Sequence, residues 1–427
     1  MATQVLYEQG WFGISLSGTP GASDAKDVYG VPDVRRVPQV VSTQAYNPWG
    51  DVRPDGIGRV TARWTVPAFR FKEFTVPSSG STRPDYHAFL VCTGHKPPSA
   101  IADYTSNQNE DTTLRGDGST TRFRFFTKFL PDGIVHVTDG TQTATASGGT
   151  FGGDGTGTYD NATGYVDVTF SGAPTNGATI TVRYTGGYNL TYEHSRQPQS
   201  LSSANVLMTK LTDDGAKEEV RQCTGARGNL TLSLSDNDAL QGQITGVGIA
   251  TANTVDASPT DPQYTEADDL IWDETCTIAL YKVAATVTDD DAFAGQVPGF
   301  GLDAGFEIQE PRGAITPGYT PAARLVPRRS TFTLTLPTTL ADELDLEAAM
   351  IAEDQFHVRA VLKGRSSTDN RLGFTFRGQI VERGEPQAGF GGVEHVTYTF
   401  KCVTPGNKVN VAEASTIARY TIQTVTV

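Results

Sequence analysis

The stretch RQCTGARGNLTLSLSDNDALQGQITGVGIA, residues 221–250, decides the fold class of this chain. Leu230, Leu232 and Leu234 alternate with Thr and Ser. This period-two pattern is typical of a strand with one buried face and one solvent-exposed face. The following Ser-Asp-Asn-Asp segment predicts a turn, because short Asx side chains bond the backbone and tolerate left-handed conformations. Gln and Thr then alternate along a return strand punctuated by glycine. We therefore predict a β-hairpin whose wet face carries Thr, Ser and Gln.

The composition predicts a β fold for the whole chain and argues against nucleic acid as a tightly bound partner. The chain has 427 residues with 45 Gly and 23 Pro, which is long enough for two or three domains and rich in turn formers. We therefore predict a mainly β fold. The net charge of −14 argues against tight binding to nucleic acid, which requires clustered Lys and Arg to displace counterions. No apolar run approaches the roughly 20 residues that a spanning helix needs, and the first residues do not resemble a secretory signal.

One internal segment has a different composition from its flanks. Residues 111–187 contain no Glu, Trp, Cys or Met, and short alternating strands are separated by Gly, Thr and Asp. We predict an inserted immunoglobulin-like β-sandwich, placed on the outside of the parent fold because insertions succeed at exposed loop tips. The remaining boundaries follow: a first fold from 1–110, with a long arm at 19–58, and 188–250, then a second fold with a C-terminal arm from 251–427.

The two parent segments resemble each other, which predicts an internal duplication. STFTLTLP at 330–337 is similar to TARWTVP at 61–67. FHVRAVLKG and RLGFTFRGQIVE in the second segment match GNLTLSL and LQGQITGVGIA in the first. Each segment also has a helix signal, a short one at 84–92 and an amphipathic one at 339–354. The apolar stripe of the second helix is predicted to consist of Leu340, Leu344, Ala348 and Ile351.

The sequence offers no convergent reactive groups. Six His and four Cys are scattered without metal-ligand spacing, and the cysteines Cys92, Cys223, Cys276 and Cys402 are expected to be reduced and buried. We therefore predict no catalytic residue, metal or cofactor, and no enzyme. Two alternatives stay open. One is a surface adhesin or carbohydrate-binding β-protein, with Phe151, Tyr159 and Tyr165 as surface aromatics of the insert, and the other is a β-rich polysaccharide hydrolase.

A β-rich chain of this kind has sheet edges that need partners. An unpaired edge is a liability, and subunits that join edge to edge remove it by closing the sheet into a barrel. Head-to-tail contacts between copies generate a ring, and rings stack into a tube. A single copy with exposed edges therefore predicts self-assembly.

The predicted hairpin at 221–250, which we call the organising hairpin, contains the stretch CTGARGNLTLSLSDNDALQGQITGVG. This stretch resembles the tail-tube (major tail) proteins of long-tailed bacteriophages. Further stretches resemble the same family, namely AFLVCTG, IADYTSN, GFGLDAGFEI, STFTLTLP, NRLGFTFRGQIVE and GGVEHVTYTF. The insert resembles the immunoglobulin-like modules that decorate some phage tails. The resemblance implies two tail-tube-type folds, each with a flanking helix, in a structural protein of the virion tail that is assembled in the host cytoplasm.

The resemblance also implies partners. Stacked rings would surround a tape-measure protein, meet tail terminator and tail-tip proteins, and later carry DNA transiently and without sequence preference. Family rings contain six tube folds, so three copies of a duplicated chain, or six copies, would complete a ring. No membrane insertion is implied.

Residue roles follow from this reading of the strands. The predicted lumen-facing residues are Thr231, Ser233, Gln241, Gln243, Thr333, Thr335, Thr375 and Arg377. The predicted inter-subunit arm residues are Trp49, Tyr46, Arg35, Arg36 and Tyr420. A lining of Thr, Ser and Gln in an acidic chain gives DNA no dense cation pattern to bind, so transit is expected to be free of trapping.

Overall fold

The computed structural model confirms a mainly β fold in which every described strand pair is antiparallel. It describes residues 10–26, 28–41, 56–195, 197–211, 217–234, 239–250, 254–256, 272–283, 292–309, 323–343, 345–388, 393–403 and 420–426. The strands of the N-terminal part are β1 (Phe12–Ser15), β2 (Ala25–Lys26), β3 (Val28–Tyr29), β4 (Asp33–Val41), β5 (Gly56–Arg70), β6 (His95–Lys96) and β7 (Ala102–Tyr104). The central strands are β8 (Gln108–Arg115), β9 (Arg122–Phe126), β10 (Gly133–Thr138), β11 (Thr143–Ser147), β12 (Thr150–Gly153), β13 (Gly155–Asp160), β14 (Tyr165–Phe170), β15 (Thr179–Thr185) and β16 (Gly187–His194).

The later elements complete the chain. The strands are β17 (Ala204–Leu211), β18 (Glu218–Leu234), β19 (Gln241–Ala250), β20 (Thr254–Asp256), β21 (Trp272–Lys282), β22 (Ala292–Val297), β23 (Gly299–Asp303), β24 (Phe306–Gln309), β25 (Arg324–Pro327), β26 (Thr331–Pro337), β27 (Gln355–Gly364), β28 (Asn370–Arg383), β29 (Gln387–Ala388), β30 (Glu394–Cys402) and β31 (Tyr420–Thr426). The helices are α1 (His87–Cys92), α2 (Thr338–Glu343) and α3 (Leu346–Ile351), with short 3-10 turns at Ala22–Asp24 and Pro198–Ser200.

The organising hairpin forms as its alternation predicts. Leu230, Leu232 and Leu234 of β18 are all buried, whereas Ser233 between them is exposed. β18 pairs with β19 so that Thr231 lies opposite Gln243. The polar residues of the two strands therefore share one face and the leucines share the other, as the pleat requires. The predicted turn at 235–238 lies outside the described residues.

The same six-strand array occurs twice. In the first repeat the spatial order is β1-β17-β18-β19-β5-β4. In the second repeat it is β21-β27-β28-β30-β26-β23. Taken in chain order, corresponding strands occupy corresponding places, and α1 contacts β18 as α3 contacts β28. In the structure, β18 corresponds to β28 and β19 corresponds to β30. The sequence comparison instead pairs β18 with β27 and β19 with β28, so that part of the predicted alignment is wrong by one strand.

The helix of the second repeat differs from its prediction. It is split into α2 and α3 by Asp345, whose φ of 44° lies in the left-handed region that Asp tolerates better than most residues. The break rotates the buried stripe onto Ala341, Leu346 and Ala349. Of the predicted stripe, Leu340 packs partly buried against the core, and Leu344 lies outside the described residues. The prediction is wrong for Ala348 and Ile351, which are exposed, Ile351 by 77%.

The long arm predicted at 19–58 contains sheet strands. β4 pairs along its length with β5, so that Arg35 lies opposite Arg63 and Val37 opposite Thr61. Val34 is buried against the core of the first repeat. The segment is therefore an edge hairpin for as far as the structure describes it, and its remaining residues, 42–55, lie outside the described part.

The insert forms its own eight-stranded sheet in the order β8-β15-β10-β11-β12-β13-β14-β9. Its core unites Phe123 of β9 and Val168 of β14 with Ile180 and Val182 of β15. Because strands from both ends of the sheet share one core, the sheet folds over on itself. The sheet begins at Gln108, three residues before the predicted boundary, and the domain boundaries as a whole stay a prediction.

The insert is fixed to the second repeat by buried polar groups. The Arg359 guanidinium of β27 donates to the backbone oxygens of Thr163 at 3.0 Å and Thr127 at 2.6 Å, both in the insert. It also lies 4.8 Å from the centre of the Phe126 ring, within cation–π distance. Arg371 and Gln423 donate to further insert carbonyls. An insert held by this many directional bonds is a clamped module, not a loosely tethered one.

The last strand is interior, contrary to the expectation of a C-terminal arm. β31 pairs with β28 on one edge and with β16 on the other. Ile422, Thr424 and Val425 are all fully buried. Tyr420, expected to reach a neighbouring subunit, starts this strand and pairs through its backbone with Phe376. The strand that Tyr420 begins is therefore part of the sheet, whereas the inter-subunit role expected for Tyr420 stays a prediction.

Candidate functional site

The two repeats are joined edge to edge through β18 and β23. Thr231 lies opposite Asp303 and Ser233 lies opposite Gly301 in an antiparallel register. β23 in turn pairs with β26, the equivalent of β5. One continuous sheet therefore runs β4-β5-β19-β18-β23-β26-β30, crossing from the first repeat to the second without a gap in its hydrogen bonding.

The β24–β25 hairpin strengthens this joint from the second repeat. The Phe306 ring stacks on His194 with centroids 4.5 Å apart, and the Phe306 N–H donates to Asn229 Oδ1 at 2.9 Å. Asn229 itself donates to Asp303 Oδ1 at 2.8 Å. Gln199 of the first repeat donates to the backbone oxygen of Leu325. The joint is therefore a packed interface as well as a strand pair.

One face of the continuous sheet is polar. Its cross-strand rows combine hydroxyl and amide side chains with isolated charges of both signs, and Thr335 and Thr397 hydrogen-bond through their hydroxyls at 3.0 Å. The rows run Gln243–Thr231–Asp303–Thr331–Lys401, then Gln241–Ser233–Gly301–Thr333–Thr399, then Gly299–Thr335–Thr397. We call this surface the polar face. The opposite face is buried and holds Leu232, Leu302, Phe332 and Phe400.

Six of the eight predicted lumen residues lie together on the polar face. They come from three strands, β18, β19 and β26, and are Thr231, Ser233, Gln241, Gln243, Thr333 and Thr335. The register alone brings them together, since the residues are up to 104 positions apart in the chain. Their assignment to a lumen stays a prediction, whereas their common face is a property of the fold.

The other two predicted lumen residues lie elsewhere. Thr375 accepts a hydrogen bond from Arg359 Nε at 2.8 Å, beside the insert. Arg377 is 6% exposed, and its Nε donates to the Gln355 side chain at 2.9 Å. β28 exchanges its partner β31 for β30 at Gly378. These two residues precede that exchange, so they lie against the insert side and not on the open polar face.

The insert aromatics are less exposed than expected. Phe151 is buried in the insert core, 5.1 Å from the Tyr159 ring, which is itself half-buried. Tyr165 is buried against Tyr281 of β21, with ring centroids 5.9 Å apart. The prediction that these aromatics form a surface platform is corrected, because they pack the insert core and its contact with the second repeat.

The arm residues divide into described and undescribed positions. Arg35 and Arg36 of β4 are exposed, and Arg35 lies 3.4 Å from the Asp33 carboxylate. Trp49 and Tyr46 lie outside the described residues. Within the described part of the chain, β4 pairs along its length with β5 and has no second strand partner, and Arg35 and Arg36 lie on this strand.

Two histidines and two cysteines inside the repeats are held in their neutral forms. Burial lowers the pKa of His95 to about 3 and that of His357 to about 3. Burial likewise raises the pKa of the Cys92 and Cys223 thiols to about 12. All four cysteines are buried and free of disulfides. Neutral, buried groups of this kind act as packing and not as acids, bases or nucleophiles.

A carboxyl on the first strand of the insert sheet also has its pKa shifted by burial toward the neutral form. Burial raises the pKa of Glu110 to about 6, against the effect of hydrogen bonds from the Tyr184 hydroxyl and the Lys128 N–H. Glu110 sits on β8, next to the clamp that Arg359 forms. Its raised pKa reflects enclosure between the insert sheet and the loop after β9.

The described residues contain two carboxylates beside a groove but no metal-binding cluster. No cluster of three or more His, Cys, Asp or Glu there has metal-holding geometry, and no described helix could cross a membrane. A groove beside Phe306 brings Asp303 and Glu307 together. Asp303 accepts hydrogen bonds from Asn229 and Gly305, and Glu307 pairs with Arg328, so both carboxylates serve the joint.

Comparison of the chain with models of protein families and with curated proteins finds no match. The functional argument therefore depends on the geometry of the sheet. Sequence reasoning missed the β18–β23 joint and the Arg359 clamp. The joint had a signal in the alternating GFGLD segment, whereas nothing local to Arg359 indicates that its partners lie about 200 residues earlier.

Proposed function

We propose that this chain is a structural subunit that assembles head to tail into rings, and that stacked rings form the tail tube of a virion. The observation that carries the proposal is the edge-to-edge joint between two repeats with the same strand order. One chain already contains the contact that a ring needs between neighbours. A heterologous contact repeated around an axis closes into a ring.

The polar face supports a role for the bore of this tube. From β19 to β30 its rows present Thr, Ser and Gln side chains with single charges of opposite sign, Asp303 and Lys401, whereas Arg63 and Arg35 lie opposite each other at its β4–β5 end. A chain with net charge −14 lacks the cation density that retains DNA. DNA would pass along this face without being held, and a tape-measure protein would fill the bore before that.

The ring would contain three copies, because two repeats per chain then give six equivalent units. A ring of six copies is the alternative. Further partners would be the terminator and tip proteins at the two ends of the tube, and assembly would take place in the host cytoplasm. The clamped insert would project from the second repeat, since Arg359 and Arg371 fix it there.

Electron microscopy and sedimentation of the purified chain test the proposal. We expect rings or tubes, with a ring mass three times the 45.7 kDa of one chain and six lobes in projection. The expected ring population should rise with protein concentration. A homogeneous monomer at all concentrations, or cleavage of a polysaccharide by the purified chain, would contradict the proposal and favour a globular β-protein or a hydrolase.

A further inference from the structure

The duplication supplies a residue-by-residue correspondence between the repeats. Thr65 of β5 and Thr335 of β26 each stand two residues before a proline, Pro67 and Pro337. Both threonines point to the polar face, and the residues that follow them, Val66 and Leu336, are both buried. Aligning these threonines fixes the registers of their neighbouring strands.

The alignment places β4 where β23 lies in the second repeat. Thr333 lies opposite Gly301, and the corresponding Arg63 lies opposite Arg35. By the same count, Val37 corresponds to Asp303 and Arg36 corresponds to Leu302. β23 has a second partner on its outer edge, namely β18. Among the described residues, β4 pairs with β5 but has no equivalent of that second partner.

The alignment also places β29 where the end of β18 lies in the first repeat. Thr231 pairs with Gln243, which stands two residues before Thr245. Gln387 pairs with His395, which stands two residues before the corresponding Thr397. Gln387 therefore corresponds to Thr231, and Ala388 to Leu232. Within the described part of the chain, β29 pairs with β30 alone.

We propose that β29 of one copy pairs with β4 of a second copy in the register of the internal joint, so that Gln387 lies opposite Val37 and Ala388 opposite Arg36. The proposal rests on the proposed function, since it names the contact that closes the ring. The partner is a second copy of this chain because the missing edge is the one that the chain itself provides at its other end.

The chemistry of the two edges is complementary. The β4 edge presents Arg35 and Arg36, both exposed. The β28–β29–β30 corner presents the exposed carboxylates Glu382, Glu385 and Glu394. Opposite charges at two edges steer association and fix its register.

In the proposed joint, Arg36 of one copy and Glu394 of the other lie in the same cross-strand row. Ala388 lies opposite Glu394 in the chain, so a second-copy Arg36 opposite Ala388 would face Glu394 across one small side chain. Two strand spacings are about 10 Å, which the extended Arg and Glu side chains span together. The corresponding internal row is apolar, with Leu302 opposite Leu232. Charge suits an edge that stands in water before assembly, because it discourages indiscriminate pairing.

Exposed apolar residues border the same corner. Val381 of β28 is 49% exposed, and Val393, the residue before β30, is 47% exposed. In the internal joint, by contrast, the paired Leu232 and Leu302 are each 3% exposed. An incoming β4–β5 hairpin would cover these valines as the β18–β23 joint covers its own apolar residues.

Cysteine cross-linking tests the register. Gln387→Cys and Val37→Cys would be made as separate variants of the full chain, mixed, assembled and oxidised. We expect a disulfide-linked dimer from the mixture and no such dimer from either variant alone. The native cysteines are buried, so they do not compete. The control pair is Gln387→Cys with Asp33→Cys, because Asp33 lies four residues, or about 13 Å, further along the strand.

The outcomes separate this proposal from the proposed function. Rings in the microscope with a cross-link for the Val37 pair and none for the Asp33 pair support both. Rings without the Val37 cross-link overturn the register while leaving tube assembly standing. Monomers that do not cross-link overturn both.

A charge exchange gives an independent readout. Arg36→Glu should lower ring yield at least tenfold at low salt, because the new carboxylate would face Glu394. Glu394→Arg should restore ring yield in the Arg36→Glu background. Equal ring yields for the parent chain, the Arg36→Glu variant and the double variant, with unchanged thermal unfolding, would overturn the contact between these residues.

Discussion

The two repeats share a strand order but differ in how their edges are completed. In the first repeat, the end of β18 is covered by β23 and by the β24–β25 hairpin of the second. In the second repeat, the corresponding corner around β29 is exposed. The difference teaches that the edge completed within the chain in the first repeat stays exposed in the described part of the second, and this exposed edge is the one that the proposed contact between copies would use.

The two repeats also differ in what their buried arginines bind. Arg227 of β18 donates to the backbone oxygens of Pro198 and Leu201, both at 2.6 Å, within the first repeat. Arg359 of β27 donates instead to two carbonyls of the insert. One arginine ties a loop to its own repeat, and the other ties a separate sheet to the parent fold.

The largest effect is expected from removing residues 420–427. β31 joins β16 to β28 and buries Ile422, Thr424 and Val425, so its loss would expose two sheet edges inside the molecule. We expect insoluble or unfolded protein, measured by soluble yield and circular dichroism. A folded, soluble truncation that merely fails to stack would restore the view of this segment as an arm.

Replacing the buried arginines should have the next largest effect. Arg359→Ala and Arg227→Ala each leave two buried carbonyls without their donor, so we expect each to lower the free energy of unfolding by about 3 kcal/mol. Urea denaturation would measure this. Phe126→Ala should be non-additive with Arg359→Ala, because their groups touch. It should be additive with Arg227→Ala, and equal coupling in both pairs would contradict the distinction between the two arginines.

Matched substitutions at the closed and open joints should differ by about 1–3 kcal/mol. A side chain at Gly301 would place its Cβ 2.5 Å from Thr333 Oγ1, so Gly301→Val should destabilise the chain through overpacking. Arg35 occupies the corresponding position at the open edge, and Arg35→Val should change stability by less than about 0.5 kcal/mol. Thermal unfolding of the unassembled chain would measure both, and equal losses would break the comparison of the joints.

The smallest effect concerns pH and separates the insert from the repeats. Because the pKa of Glu110 is raised to about 6 in the folded state, the folded chain binds this proton at a higher pH than the unfolded chain does. The protonated carboxyl therefore stabilises the fold, and the free energy of unfolding falls by at most about 2 kcal/mol as pH rises from 4.5 to 6. The lowered pKa values of His95 and His357 act oppositely, since the unfolded state takes up their protons first below pH 6.5. Glu110→Gln should remove only the first contribution. The measurement is the difference in unfolding free energy between this variant and the parent at pH 4.5 and 7, and a constant difference would contradict the assignment.

The sequence by itself determined the β class, the hairpin at 221–250 and the alternation of polar and apolar residues within its strands, because a strand's period of two is a local property. It also indicated the duplication, through the Thr-and-Pro segments at 61–67 and 330–337. Only the tertiary structure decided that β18 corresponds to β28, that β31 is interior, and that Thr375 and Arg377 lie against the insert side. Strand register, partner exchange and the Arg359 clamp join residues up to hundreds of positions apart. Such contacts are selected by packing and by hydrogen-bond satisfaction across the whole molecule, and no local pattern encodes them.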